Sequence, residues 1–222
     1  MLQNIVVIPT FSEKFISFQI GNQRFLDSLH FLSASIDTLV QTLIKDGTQK
    51  FPNTKRHYPN SDLVFQKGTY LYEFMDGPET FKLRELPPRE KFYCSLTEET
   101  VSKEDYARAQ QMWTEFHISN MKEYHDLYLS SDVLLLADVL ENFRKIGMEY
   151  YGLDVLHYYT LPGFTFDACL KKTKQTLKLL MSPEHLLFFE NSSSGGISVV
   201  GHRHAKANNP MMPYYNPDDL NS

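Results

Sequence analysis

The apolar positions between residues 120 and 149 recur at helical spacing. Leu127, Leu134, Leu135, Val139 and Phe143 fall on one face, and no glycine or proline interrupts the run before Gly147. Asn120 followed three residues later by Glu123 has the form of a capping box. The spacing predicts one long helix. Tyr128 and Asp132 are four apart within it and share a face, a phenol and a carboxylate one turn apart. The apolar turn after them predicts that both polar groups lie at the lip of a buried sheet built from the N-terminal strands.

The rest of the chain yields to the same reading. Residues 4–9 form an apolar run, and residues 14–20 alternate, Phe15, Ser17 and Gln19 against Ile16, Phe18 and Ile20. Gly21-Asn22 is a turn signal before a third strand at 24–26, so the chain opens on a small β-meander. Ile36, Leu39, Val40, Leu43 and Ile44 give a helix stripe, with Ser35 as N-cap and Gly47 just past its end. Residues 48–88 carry Pro52, Pro59, Pro78, Pro87 and Pro88 and read as extended loops with a short helix at 61–66. A second helix is expected at 102–116, with Tyr106, Ala109, Trp113 and Phe116 on one side. Beyond Gly152 the pattern predicts a Pro-Gly turn near Gly163, helices at 166–180 and 183–189, a Ser/Gly loop and a strand at 197–200.

Composition narrows the class. The 222 residues are 42% hydrophobic and 14% aromatic, which describes a globular chain. A formal net charge of −5 argues against a simple basic nucleic-acid module while leaving room for a local basic groove. Cys94 and Cys169 stand far apart, which fits a reducing, intracellular compartment. No apolar run approaches membrane-spanning length, and the first residues show no secretory leader. The histidines make no zinc-type spacing.

Tyr128-Leu129-Ser130-Ser131-Asp132 is also where a family resemblance begins. Tyr-x-x-x-Asp is the third motif of the 3′→5′ proofreading exonuclease of family B DNA polymerases. Taken alone, the pair is better read as a buried tyrosine and a solvated or capping aspartate. Four further stretches match in order. Ser28-Leu29, within Phe25 to Leu32, resembles the Ser/Thr-Leu motif of the protein-primed branch, and Lys67-Gly68-Thr69-Tyr70 resembles its Lys-x-x-hydrophobic motif. Ser193-Ser194-Gly195-Gly196 resembles the Tyr-x-Gly-Gly motif between exonuclease and polymerase domains, with Ser193 in place of the tyrosine. The wording of Glu123 to Tyr128, His157 to Thr160 and Ala205 to Asn209 is similar to the organellar and viral type found in self-synthesising DNA transposons and linear plasmids.

The resemblance implies an α/β chain: residues 1–150 as the later part of an RNase H-like exonuclease domain, residues 151–222 as a mostly helical connector into a polymerase palm. It implies Asp132 as a metal ligand for Mg2+ or Mn2+, Tyr128 orienting water, and Lys67 beside phosphate charge. Ser28, Leu29, Gly195 and Gly196 would touch single-stranded primer DNA. The complete enzyme would take dNTPs and act in DNA replication, with a terminal-protein primer as a further partner, in the nucleus if eukaryotic. The pattern is incomplete. No aspartate is followed two residues later by glutamate, Asn22-Gln23-Arg24-Phe25 lacks the aspartate of the second exonuclease motif, and the palm aspartates are missing. Two-metal hydrolysis needs several carboxylates. The expectation is therefore a middle segment of such a polymerase, inactive alone. The alternative is a catalytically inactive relic that binds DNA or another protein.

Overall fold

The structure is a computed structural model that describes residues 5–11, 14–193, 210–211, 213 and 215–218. It is mixed α/β. Strands β1 (Ile5–Phe11), β2 (Lys14–Ile20) and β3 (Gln23–Leu26) form the antiparallel meander that the alternation predicts, with Val7 opposite Phe18 and Phe18 opposite Phe25. Helix α1 (Ile36–Leu43) is capped by the Ser35 hydroxyl, which accepts from the Thr38 amide at 3.2 Å. Gly47 follows at φ +99°, where a side chain would be strained.

The middle of the chain departs from expectation. Residues 61–66 form turns rather than a helix, and the short helix lies earlier, at α2 (Pro52–His57). Its start has Phe51 at the cap position, which offers no local side-chain acceptor. The acceptor is Asp138, 84 and 85 positions away, so apart from Pro52 in the first turn no local cap announces the helix. A two-stranded hairpin, β4 (Tyr93–Cys94) with β5 (Glu99–Thr100), precedes helix α3 (Lys103–Glu115).

Helix α4 (Met121–Tyr151) is the centre of the first compact unit, residues 1–175. The capping box forms: the Asn120 side chain accepts from the Glu123 amide at 3.1 Å, and the Glu123 carboxylate accepts from the Ser119 amide at 2.7 Å. Leu127, Leu135 and Val139 are buried in the main core with Val40, Phe51, Leu71, Ala109 and Met112. A second cluster, Phe31, Val155 and Phe164, gathers Leu26 from the sheet and Phe143 from the C-terminal half of α4. Gly147 is needed there, because a Cβ would stand 2.9 Å from Val155 Cγ2 and 3.0 Å from the Leu153 carbonyl. Gly152 ends the helix in the left-handed conformation.

Past that turn the chain stays in the same unit. The Asp154 carboxylate accepts from Arg144 Nε at 2.9 Å and Nη2 at 2.6 Å. These bonds hold the Asp154 carboxyl below the ordinary carboxylate range. Its folded pKa is therefore below its unfolded one, so the stabilisation is present at neutral pH and fades as pH falls below about 4. Asp154→Asn is expected to lower the urea midpoint at pH 7 and to approach wild type only as pH falls below the ordinary carboxylate range and through the lowered folded pKa of Asp154. An unchanged gap across that range would show the pair contributes nothing through ionisation.

Helix α5 (Leu161–Thr173) begins earlier than residue 166, because Pro162 fits the first turn of a helix, and ends earlier than residue 180, where Lys174 takes the left-handed conformation. Helix α6 (Pro183–Ser192) belongs to a second unit, residues 176–222. Gly195, Gly196 and the strand expected at 197–200 lie outside the described residues. Among the described residues no helix is long and apolar enough to cross a membrane.

Candidate functional site

Tyr128 and Asp132 lie on the unbroken helix α4, but their neighbours are not the meander. They face segment 67–72, from which Gly68, Tyr70 and Tyr72 all meet Tyr128. The Tyr128 ring stacks on Tyr70, with centroids 4.6 Å apart and planes 20° apart, and its hydroxyl is hydrogen-bonded to that of Tyr72. A Cβ on Gly68 would stand 2.7 Å from Tyr128 Cδ2, so the close approach of this segment depends on glycine.

The aromatic cluster extends one turn toward the start of α4. The Tyr70 hydroxyl and His125 Nδ1 share a hydrogen bond of 2.6 Å, and the edge of Phe81 meets the His125 ring. The buried Tyr124 hydroxyl donates to the Thr69 carbonyl at 2.6 Å. Arg108 reaches across from α3 and donates through Nη2 to the Lys67 carbonyl at 2.6 Å.

Asp132 Oδ1 is buried without a hydrogen-bond partner. Burial raises the Asp132 carboxyl above the usual range, while the Tyr128 phenol, the Lys67 ammonium and the Gly68 amide beside it pull the other way. Burial likewise raises the Tyr128 phenol, and the bond to Tyr72 and the Asp132 charge add to it. Both groups are thus held toward their protonated forms, and the Lys67 charge opposes this at Asp132.

Lys67, Tyr128 and Asp132 are therefore brought together across more than sixty positions. Ser28 and Leu29 are placed elsewhere. Their 3₁₀ turn is capped by Asp27 and leads into Phe31, in the cluster on the far half of α4. Phe143 there is about 16 Å farther along the helix axis than Asp132. Leu29 is exposed.

Sequence reasoning did not single out Tyr72, Tyr124, His125 or Arg108. Two signals pointed to the tyrosines: the alternation Gly68-Tyr70-Tyr72, and Tyr124 one helical turn before Tyr128. Nothing local marks Arg108.

Asp132 is the carboxylate of this cluster. Among the described residues no group of three His, Cys, Asp or Glu side chains is disposed to hold a metal ion. The residues present do not by themselves fit a magnesium or manganese centre, and no step of chemistry is assigned to one. Comparison with protein-family models, curated proteins and solved structures finds no match for this chain.

Proposed function

We propose that this chain is a segment of a family B DNA polymerase, comprising the later part of a 3′→5′ exonuclease-type domain and the start of the connector toward the palm. In the complete enzyme the work would be DNA-templated nucleotide addition and removal of mispaired 3′ ends, with DNA and dNTPs as substrates. One observation carries the reading. Lys67 and the Tyr128–Asp132 pair belong to two motifs of the resemblance that lie far apart in the chain, and in the fold the Lys67 charge acts on Asp132. Local propensity does not require that meeting. A cation beside a phenol and a carboxylate suits a place where a phosphate backbone passes.

The part this chain plays by itself is DNA contact, not catalysis. Purified protein is expected to bind single-stranded DNA weakly, given its net charge of −5, and to lose binding as salt rises. Lys67→Ala is expected to weaken binding several-fold and to reduce the salt slope by about 0.7, the value for one lost phosphate contact. Fluorescence anisotropy on a labelled oligonucleotide across a salt series measures both. Equal affinity and slope in the two proteins would remove the DNA site.

A second reading, a catalytically inactive relic that binds DNA or another protein, is favoured by the Tyr128 hydroxyl, which is engaged by Tyr72 rather than free to orient water. Both readings expect no nuclease activity from the isolated chain. Magnesium-dependent release of 3′ nucleotides, abolished by Asp132→Ala, would contradict both.

A further inference from the structure

The segment that carries Lys67 has no regular secondary structure, yet it holds a close approach to α4 through Gly68. A strand would be fixed by a ladder of backbone bonds. Here side chains do that work. Arg108 Nη2 donates to the Lys67 carbonyl at 2.6 Å and lies 3.5 Å from the Thr69 hydroxyl, while the Tyr124 hydroxyl donates to the Thr69 carbonyl at 2.6 Å. The two donors come from different helices and bracket Gly68. Arg108 has only 13% of its side chain exposed, and Tyr124 is 3% exposed, so neither is placed to contact DNA directly. The Arg108 guanidinium makes only a long, 3.7 Å ion pair to Asp105, and its Nη1 is buried without a partner. Its one short bond goes to the Lys67 carbonyl.

We propose that Arg108 and Tyr124 are positioning residues: by holding the carbonyls of Lys67 and Thr69 they pin this segment to α3 and α4 and keep Lys67 on the Asp132 side of the cluster. The functional meaning rests on Lys67 as the phosphate-facing group, but the clamp itself is measurable without DNA. Removing either donor leaves a backbone carbonyl without its buried partner and releases one end of the bracket. A guanidinium is suited to the role because Nη2 alone carries two N–H donors and reaches both the Lys67 carbonyl and the Thr69 hydroxyl.

The test is amide hydrogen exchange on the full chain, resolved by NMR. In Arg108→Met and in Tyr124→Phe, the Gly68 amide is expected to exchange roughly tenfold faster, the factor for loss of one buried hydrogen bond, while the Leu135 and Val139 amides keep their wild-type protection. Arg108→Lys, which can still donate to the Lys67 carbonyl, is expected to restore most of the Gly68 protection. Tyr124→Phe removes one hydroxyl and keeps the ring, so it remains informative if Arg108→Met folds poorly. Unchanged Gly68 exchange in Tyr124→Phe and Arg108→Met would overturn the proposal. So would acceleration spread equally over Leu135 and Val139, which marks general destabilisation. In DNA binding, Arg108→Met is expected to reproduce the loss seen in Lys67→Ala, and the double variant to lose no more. If the clamp loosens as expected and Lys67→Ala still binds DNA like wild type, the DNA reading fails and the clamp stands.

Discussion

Asp138→Ala is expected to cost roughly 3–5 kcal/mol of unfolding free energy, a large share of the 5–15 kcal/mol typical of a domain. Asp138 is fully buried on α4 and accepts four hydrogen bonds at the start of α2: from the Asn53 amide at 3.0 Å, Asn53 Nδ2 at 2.8 Å, the Thr54 amide at 2.9 Å and Thr54 Oγ1 at 2.8 Å. Two of these donors are among the amides that a helix start leaves unpaired. The carboxylate also sits at the positive end of the α2 dipole. Alanine would leave the two donors of the fully buried Thr54 without a partner. The loss extends beyond one helix, because Asn142 on the next turn donates to the Lys50 carbonyl at 2.6 Å and to the Asp138 carbonyl at 2.8 Å, tying the same loop to α4. Asp138→Asn keeps one acceptor but turns an amide donor toward other donors, so a loss of about half that size is expected. Urea titration measures both. A loss below about 1 kcal/mol for alanine would mean that α2 is held by its apolar contacts and that the cap is incidental.

Gly68→Ala is expected to cost about 1–3 kcal/mol, the usual range for forcing an extra carbon into a packed site. The new Cβ would meet Tyr128 Cδ2 at 2.7 Å and Cε2 at 3.3 Å. The ring has little freedom to retreat, since it is stacked on Tyr70 and its hydroxyl is tied to Tyr72. The tyrosine near-ultraviolet circular dichroism should fall together with the stability, because the same displacement disturbs the stack. Gly77→Ala is the control: nothing lies within 4 Å of its Cβ, so a change within about 0.5 kcal/mol is expected. Equal effects at the two glycines would show that Gly68 matters for backbone freedom and not for packing against Tyr128.

The sequence by itself determined the elements whose signals are local. The meander follows from two-residue alternation and Gly21-Asn22, helix α1 from its apolar stripe and Ser35, and helix α4 from Asn120, Glu123 and the spacing that puts Tyr128 and Asp132 on one face. The tertiary structure decided what those faces meet. It set Tyr128 against segment 67–72 instead of the meander, and left Ser28 and Leu29 beside Phe31 on the far half of α4. It started α2 at Pro52 because the cap comes from Asp138, and it drew Arg108 and Tyr124 onto the carbonyls of a segment with no ladder of its own. The physical reason is the same in each case. Periodicity records which residues leave water, whereas a buried carboxylate or carbonyl is satisfied by whichever donor the fold brings within about 3 Å, and that donor can lie anywhere along the chain.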